Sequence, residues 1–388
     1  MFVRLRAMRR ALALLWLLSG FPPPGAGQES EIHEEIVVTA ARTPSVFSEA
    51  ARSVIVIDRA VIETAPVRSV PELLEYALGV DVRQRGPFGV QADLSLRGGT
   101  FEQTLVLVDG VKIGDPQTGH HSAILPLTLD DVERVEILKG SGSRLFGPNA
   151  FGGAVNIITR KDRETRSRVG AAFGQNGFIG GDVSLAVPLG ASGHGLSFSR
   201  KRSDGYRENT DFDITTLSYR ASLPAAGGEI SVFGGHTDKA FGANGFYSDR
   251  FPMQWERTRT TFLQSSGEFG RSGLTVVPKV YARWNADEFV LDRNNPAWYR
   301  NTHTTHTGGM EIQVSFDSKL GRTAIGGEIG KEGIAVSTLR DMTGLMNRST
   351  RSTTSSINSF WLLIFRRLTE SGRVGKSATR RDGDTRDM

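Results

Sequence analysis

From about residue 162 onward, apolar and polar residues alternate along the chain. The segment 310–316 shows the pattern, since Met, Ile, Val and Phe are separated by Glu, Gln and Ser. A period of two predicts β-strands whose two faces meet different environments. Many of the polar positions are charged, which indicates a polar or water-filled interior. The predicted strands are 166–173, 178–187, 194–201, 212–222, 229–236, 257–268, 274–286, 304–316, 322–332 and 352–365.

The links between these strands alternate in length. The links after the second, fourth, sixth and eighth strands are short and turn-like, at 188–193, 224–228, 270–273 and 317–321. The links after the third, fifth, seventh and ninth strands are long and polar. This alternation of short and long links is typical of an outer-membrane β-barrel, with short periplasmic turns and longer outside loops. A soluble β-sandwich is the alternative, but its links need not alternate in length.

Residues 41–161 have a different pattern, which predicts a small α+β domain. Ser69 is a suitable helix N-cap, Pro71 falls in the first turn and Glu72 completes the start signal. Gly79 suits the position after the helix. The apolar stripe of this helix would be Leu73, Leu74, Ala77 and Leu78. A second start signal lies at 128–131, and strand-like runs lie at 104–108, 135–138 and 154–159.

Residues 1–27 have the order of a secretion signal. Four arginines precede the apolar run 11–18, which three prolines end at 22–24, and small residues follow at 25–27. This order predicts a cleaved signal peptide and a protein that leaves the cytoplasm. A buried N-terminal helix is the alternative.

Composition narrows the function classes. The 388-residue chain has a net charge of +5 and no cysteine, which excludes disulfides and thiolate metal sites. No internal apolar run is long enough for a spanning helix. We find no nucleophile–base pair and no carboxylate pair with a catalytic context. We therefore expect no enzyme, no cofactor and no nucleic-acid partner.

Three stretches share a family resemblance. The first is Glu35, Ile36, Val37, Val38, Thr39 and Ala40. The second is 94–98 followed by 104–111, and the third, the most specific, is 132–140 continuing through 145–159. Together they resemble TonB-dependent outer-membrane receptors.

The resemblance implies an α+β plug domain inside a transmembrane antiparallel β-barrel, which has 22 strands in the family. It also implies import of a scarce nutrient across the bacterial outer membrane. The nutrient would be a ferric siderophore, cobalamin or a similar ligand. TonB of the inner membrane would supply the energy by binding Glu35–Ala40. We divide the chain into a signal peptide (1–27), a periplasmic segment with the TonB box (28–40), a plug (41–161), a partial barrel (162–365) and an atypical basic tail (366–388).

Four plug residues are candidates for specific roles. Arg97 and Lys139 fall where the family has basic residues that pair with acidic groups on the barrel wall, so the resemblance implies a plug–barrel lock. The alternative is a solvated charge at each position. His120 and His121 lie on a plug connection that could face the outside ligand. We expect no metal there, because adjacent residues on a strand point to opposite faces.

The chain also departs from the family pattern. About ten strands are encoded after the plug, and from Arg366 onward no aromatic residue and no alternation occurs. We expect a truncated receptor, with a reading-frame change near 355–366 as one hypothesis. The alternatives are a non-transporting secreted plug-type binding protein or a pseudogene-like fragment. A signalling transducer of the same family would need an extra periplasmic domain, for which only about seven residues lie between Gly27 and Glu35.

Overall fold

The computed structural model describes residues 37–38, 45–46, 54–140, 142, 149–318, 321–341, 346–349 and 355–366. The predicted signal peptide and residues 367–388 of the basic tail lie outside this part of the chain. Glu35, Ile36, Thr39 and Ala40 of the predicted TonB-binding segment also lie outside it. The other two residues of that segment form β1 (Val37–Val38), which pairs antiparallel with β2 (Ser45–Val46) inside the same chain.

The plug is built on a mixed five-stranded sheet. Its strand order is β3-β8-β9-β6-β7, and β6 and β9 run parallel. A separate hairpin, β4-β5, packs beside it. The elements are β3 (Val54–Ile57), α1 (Arg59–Thr64), α2 (Val70–Leu74), β4 (Val80–Gln84), β5 (Ala92–Leu96), β6 (Thr104–Val108), β7 (Val111–Lys112), β8 (Val132–Lys139) and β9 (Gly153–Thr159). Four 3-10 turns join them, at Pro87–Gly89, Phe101–Gln103, Gly119–Ala123 and Leu129–Asp131.

The predicted helix start at Ser69 is confirmed, but the helix is shorter than the apolar stripe suggested. The Ser69 hydroxyl accepts a hydrogen bond from the Glu72 amide at 3.4 Å. The helix ends at Leu74, and Leu78 is 82% exposed rather than packed. Gly79 has a φ of +87° and turns the chain into β4. No helix among the described residues is both long and apolar enough to span a membrane.

The second predicted helix start is a single 3-10 turn. Thr128 and Asp131 form a capping box, and β8 follows without a break. Val132, Val135 and Ile137 are fully buried in the plug core. β-Branched residues that pack against both neighbouring strands favour the sheet over a helix.

Residues after the plug form one antiparallel sheet of long strands. Each strand from β10 to β18 pairs with the next, and β19 and β20 both pair with β18. The strands are β10 (Arg166–Phe173), β11 (Ile179–Leu189), β12 (Ser192–Ser203), β13 (Phe212–Ala225), β14 (Gly228–Gly242), β15 (Trp255–Arg271), β16 (Leu274–Val290), β17 (Tyr299–Ser318), β18 (Gly321–Asp341), β19 (Met346–Ser349) and β20 (Ser355–Arg366). The predicted strands are confirmed, and most of them extend further than the alternation indicated.

The alternating link lengths are also confirmed from β11 to β17. Residues 319–320 and 342–345, in the predicted links after the eighth and ninth strands, lie outside the described residues. Short links lie at 190–191, 226–227 and 272–273, all at one end of the sheet. Long links lie at 174–178, 204–211, 243–254 and 291–298, all at the other end. We call these the short-link end and the long-link end.

The distribution of apolar and polar side chains over the two faces of this sheet is the reverse of that in a soluble protein. Outward side chains are apolar and exposed, for example Leu217 at 46%, Met310 at 63% and Ile329 at 59%. Many inward side chains are polar and buried, for example Thr237 at 0% and Arg220 at 2%. An apolar outer band around a polar interior is the pattern of a membrane β-barrel wall. We therefore call this sheet the wall.

Candidate functional site

The plug meets the wall near the long-link end in a buried polar cluster. We call this group the apex cluster. Its plug members are Asp93, Asp115, His120 and His121, and its wall members are Glu256, Arg283, Asn285 and Asp287.

Strand register brings the wall members together. Asp287 on β16 lies directly opposite Thr258 on β15 and His303 on β17. Glu256 lies opposite Phe289, two residues further along β16, so Glu256 and Asp287 are diagonal neighbours on the inward face. Diagonal neighbours across a strand pair are within reach of long side chains.

The turn Gly119–Ala123 supplies the two histidines from the plug. Thr118 caps this turn, since its side chain accepts a hydrogen bond from the His120 amide. A 3-10 turn has three residues per turn, so adjacent side chains diverge by roughly 120°. The expectation that His120 and His121 point apart is therefore met, although by a turn rather than a strand.

His120 belongs to the plug side of the cluster. Its Nδ1 atom lies 2.5 Å from Asp93 Oδ1, and its ring stacks on Phe101 with centroids 4.0 Å apart. Burial raises the pKa of the Asp93 carboxyl, but the hydrogen bond to His120 and the charge of Arg85 outweigh it. The net result is a pKa for Asp93 below its ordinary value.

His121 points into the junction with the wall. It is 4% exposed, and its Nδ1 atom lies 3.3 Å from the side-chain amide nitrogen of Asn285. Burial lowers the pKa of His121 because it penalises the charged imidazolium. His121 is therefore neutral at pH 7, the form in which imidazole binds metals.

Asp115 ties the plug to the wall beside His121. It accepts a hydrogen bond from the Arg283 guanidinium, and Thr305 Oγ1 donates to it at 2.9 Å. Burial raises the pKa of Asp115, but the Arg283 charge dominates and the net pKa is lowered. Both Asp115 and Arg283 have side chains that are almost fully buried, so this ion pair is shielded from solvent.

A second buried contact lies near the short-link end. The guanidinium of Arg220 on β13 contacts Asp131 of the plug and lies 2.8 Å from Asp162 Oδ2. All three side chains are at most 2% exposed. Lys112 and Glu328 form a further plug–wall pair at 2.7 Å. The plug is therefore held at both ends by charged groups.

Arg97 and Lys139 form no ion pair with any residue that the structure describes. Arg97 is exposed and has a φ of +54°. Its guanidinium lies beside Gly140, with Nη1 3.0 Å from the position that a Cβ atom would take there. The Lys139 ammonium approaches the corresponding position on Gly79 at 3.8 Å. Their predicted role as a plug–barrel lock stays a prediction.

Sequence reasoning missed the wall members of the apex cluster. Glu256 and Asp287 fall one residue outside the predicted strands 257–268 and 274–286. Extending the same alternation by one step would have placed both on the inward face, in line with Thr258 and Asn285.

Comparison with known proteins identifies the plug. A family model described as "TonB-dependent Receptor Plug Domain" matches residues 47–154. Residues 47–154 thus match a TonB-dependent receptor plug, and the strands that follow have the fold of part of a receptor barrel. The family is one of transport receptors rather than enzymes.

Curated relatives agree with this plug assignment. The vitamin B12 transporter BtuB of Vibrio vulnificus (strain CMCP6) is 30% identical over 196 residues, which cover 50% of this chain and 31% of the relative. BtuB of a Vibrio cholerae serotype O1 strain is 32% identical over 181 residues, or 46% of this chain and 29% of the relative. The matched part thus spans about a third of the length of these relatives.

Solved structures show the same fold. FpvA of P. aeruginosa bound to pyoverdine has a TM-score of 0.69 at 14% identity, covering 86% of this chain and 52% of that one. The ferric citrate transporter FecA has a TM-score of 0.66 at 15% identity, covering 81% and 53%. The receptor plug and its partial wall therefore have the architecture of these proteins over about half of their length.

Proposed function

We propose that this receptor plug and wall belong to an outer-membrane importer of a scarce nutrient. The reversed polarity of the wall carries the proposal, because its apolar face is exposed while its polar face holds the plug. Such a sheet is stable only where lipid covers its outer face. A protein secreted into water would expose this apolar face at a cost, which disfavours the alternative of a secreted plug-type binding protein.

Ligand binding is assigned to the long-link end. The long polar links and the apex cluster lie at this same end, and His120 keeps 26% of its side chain exposed. The relatives named above transport vitamin B12 or ferric citrate or bind pyoverdine, so we propose a ferric siderophore, cobalamin or a similar chelate as the ligand.

Energy coupling is assigned to Glu35–Ala40 near the N-terminus. Val37 and Val38 already adopt a strand, and a two-stranded sheet has outer edges to which another strand can add. Backbone hydrogen bonds along such an edge give affinity with little demand on side chains. TonB would bind by adding a strand, while Arg97 and Lys139 would bind acidic groups of the complete barrel.

Uptake measurements test this proposal. Cells that express the receptor from its own locus are given labelled cobalamin or a labelled ferric siderophore, and binding and uptake are measured separately. Val38→Pro removes a backbone donor and should abolish uptake while leaving surface binding unchanged. The matched control is Val38→Thr, which keeps a β-branched side chain and should keep uptake.

Fractionation addresses localisation independently of the ligand. The receptor should partition with outer membranes and migrate differently on gels before and after heating, as a folded barrel does. Recovery from the soluble periplasmic or extracellular fraction would favour the secreted alternative. Energised uptake that survives Val38→Pro would refute the coupling role of this segment.

A further inference from the structure

We propose that His121, Glu256 and Asp287 bind a divalent first-row transition-metal cation between the plug and the wall. Their potential ligand atoms, one imidazole nitrogen and two carboxylate oxygens, all lie within 4.8 Å of one another. Their exposed fractions are 4%, 3% and 5%. A buried set of one histidine and two carboxylates is a ligand set that such cations use in proteins.

An unsatisfied buried oxygen supports the site independently. Asp287 Oδ1 is buried and accepts no hydrogen bond. The other oxygen of Asp287 accepts from Gln117 Nε2 at 3.1 Å and lies 3.4 Å from His303 Nδ1. His303 Nδ1 is itself buried without a hydrogen bond. Buried polar atoms are almost always paired, so the unsatisfied Oδ1 atom of Asp287 calls for a missing partner.

The charge balance points to a cation. Among the described residues, no lysine or arginine forms an ion pair with Glu256 or Asp287. Lys239, a buried cation on the neighbouring strand β14, donates to the Gly89 carbonyl at 2.6 Å. Two neighbouring buried carboxylates repel each other and are costly to desolvate unless a positive charge lies between them. A divalent cation would supply that charge and occupy the orphan oxygen.

The ligand types select the class of metal. Imidazole disfavours Ca²⁺ and Mg²⁺, which prefer oxygen ligands alone, and the site has no sulfur for Cu(I). Zn²⁺ and its neighbours accept mixed nitrogen and carboxylate ligands at about 2.1 Å, so ligand atoms lie at most about 4.2 Å apart. The side chains would close slightly on binding, and His303 is placed to become the fourth ligand.

The site would join two parts of the molecule. One ligand comes from the plug turn Gly119–Ala123, and the others come from adjacent wall strands. A bound cation would therefore tie the plug to the wall near the long-link end. This inference does not depend on import, because a receptor for a different nutrient can still hold a metal here.

Zinc binding to the purified full chain in detergent tests the proposal. The protein is stripped with a chelator and titrated with ZnCl₂ by calorimetry. Asp287→Asn and His121→Gln should each weaken zinc binding at least about tenfold, since loss of even an outer-shell partner has that effect. Asp238→Asn is the matched control, because Asp238 lies near the same end but pairs with Arg257 on the partly exposed face of the wall. It should leave zinc affinity unchanged.

Three further measurements test whether the metal is coordinated directly and which class of metal binds. Free Zn²⁺ should bind, whereas zinc held by EDTA should not, because direct coordination needs open positions on the metal. Co²⁺ should give visible absorption bands of a nitrogen–oxygen site that disappear in Asp287→Asn. Tighter binding of Ca²⁺ than of Zn²⁺ would overturn the assigned class of metal.

Two results would overturn the site itself. One is a zinc affinity that is the same in wild type, Asp287→Asn and His121→Gln. The other is an equal loss in the Asp238→Asn control, which would indicate non-specific binding. Heat-modifiable migration on gels shows whether each variant folds. If Asp287→Asn does not fold, His121→Gln and His303→Gln decide the question in its place.

Discussion

Removing the Arg220 side chain should loosen the plug at the short-link end. Arg220 is 2% exposed, and its guanidinium contacts Asp131, lies 2.8 Å from Asp162 and donates to Ser197 Oγ at 3.2 Å. Arg220→Ala would leave the buried Asp131 carboxylate without a cation and Asp162 with only Arg166, whose side chain is 32% exposed. Such residual charges, rather than the lost contacts alone, determine the cost.

The expected magnitude follows from burial. Breaking a buried ion pair by removing one partner costs about 3–5 kcal/mol. At about 1.4 kcal/mol for each factor of ten, local opening of the plug should become roughly 100 to several thousand times more frequent. The comparison is Arg257→Ala, because Arg257 pairs with Asp238 where the two side chains are 41% and 29% exposed. Loss of that pair should cost only about 0–1 kcal/mol.

Hydrogen exchange read by mass spectrometry measures this difference. Peptides that cover β8 and β9 should lose protection in Arg220→Ala and keep it in Arg257→Ala. Adding Asp131→Asn and Asp162→Asn to Arg220→Met should restore much of the protection, since no buried charge then lacks a partner. Equal protection in Arg220→Ala and Arg257→Ala would refute the role of Arg220 in holding the plug.

Three further predictions concern the plug core, its acid stability and the outer face of the wall. Gly153→Ala should destabilise the plug by about 1–3 kcal/mol or more in thermal unfolding, because φ is +151° and a Cβ atom would lie 2.2 Å from the Leu138 carbonyl oxygen. The lowered pKa of Asp93 implies stability that is fully present above its ordinary value of 3.8 and is lost as pH falls through its lower folded value. Unfolding measured against pH should therefore show a loss below about pH 3.8 that Asp93→Asn reduces. Leu217→Arg should lower barrel stability by about 2–4 kcal/mol, measured by unfolding in lipid vesicles, because its 46%-exposed side chain faces outward.

Matched variants check these three predictions. Gly181→Ala should be tolerated, since a Cβ atom there would meet nothing within 4 Å. Asp81→Asn should leave the acid transition unchanged, because Asp81 has a 60%-exposed side chain. Leu217→Met should keep barrel stability in vesicles. A Gly153→Ala variant as stable as Gly181→Ala, or a Leu217→Arg variant as stable as Leu217→Met, would contradict the packing described here.

Most of the wall could be predicted from the sequence, because the alternation that marks each strand is contained in a few neighbouring residues. Apolar and polar residues must alternate in a strand whose two faces meet an apolar and a polar environment, and they do so over the seven residues 310–316. Link lengths are equally local, so the short-link and long-link ends could be read directly. The start of the helix after Ser69 was predicted correctly from its N-cap. Its end at Leu74 was not, because it depends on tertiary packing, and the apolar residue Leu78 is exposed rather than packed.

The apex cluster was not predictable in the same way. His120 and His121 were recognisable as candidates, but their partners lie far away in the chain, with Asn285 164 positions from His121. Whether Asp287 meets His121 depends on how the plug is docked against the wall, which no local pattern encodes. The same holds for Arg220, which nothing in the sequence around β13 links to Asp131.

The amino-acid sequence by itself determined the two kinds of domain, the faces of the strands and the ends of the sheet, because hydrophobic periodicity and turn chemistry act over a few residues. Only the tertiary structure decided which buried charges meet. Several pairs across the plug–wall junction join residues more than 80 positions apart, such as Asp131 and Arg220. Those contacts form only when the folded plug packs against the wall, and this packing depends on the shape and charge of both surfaces.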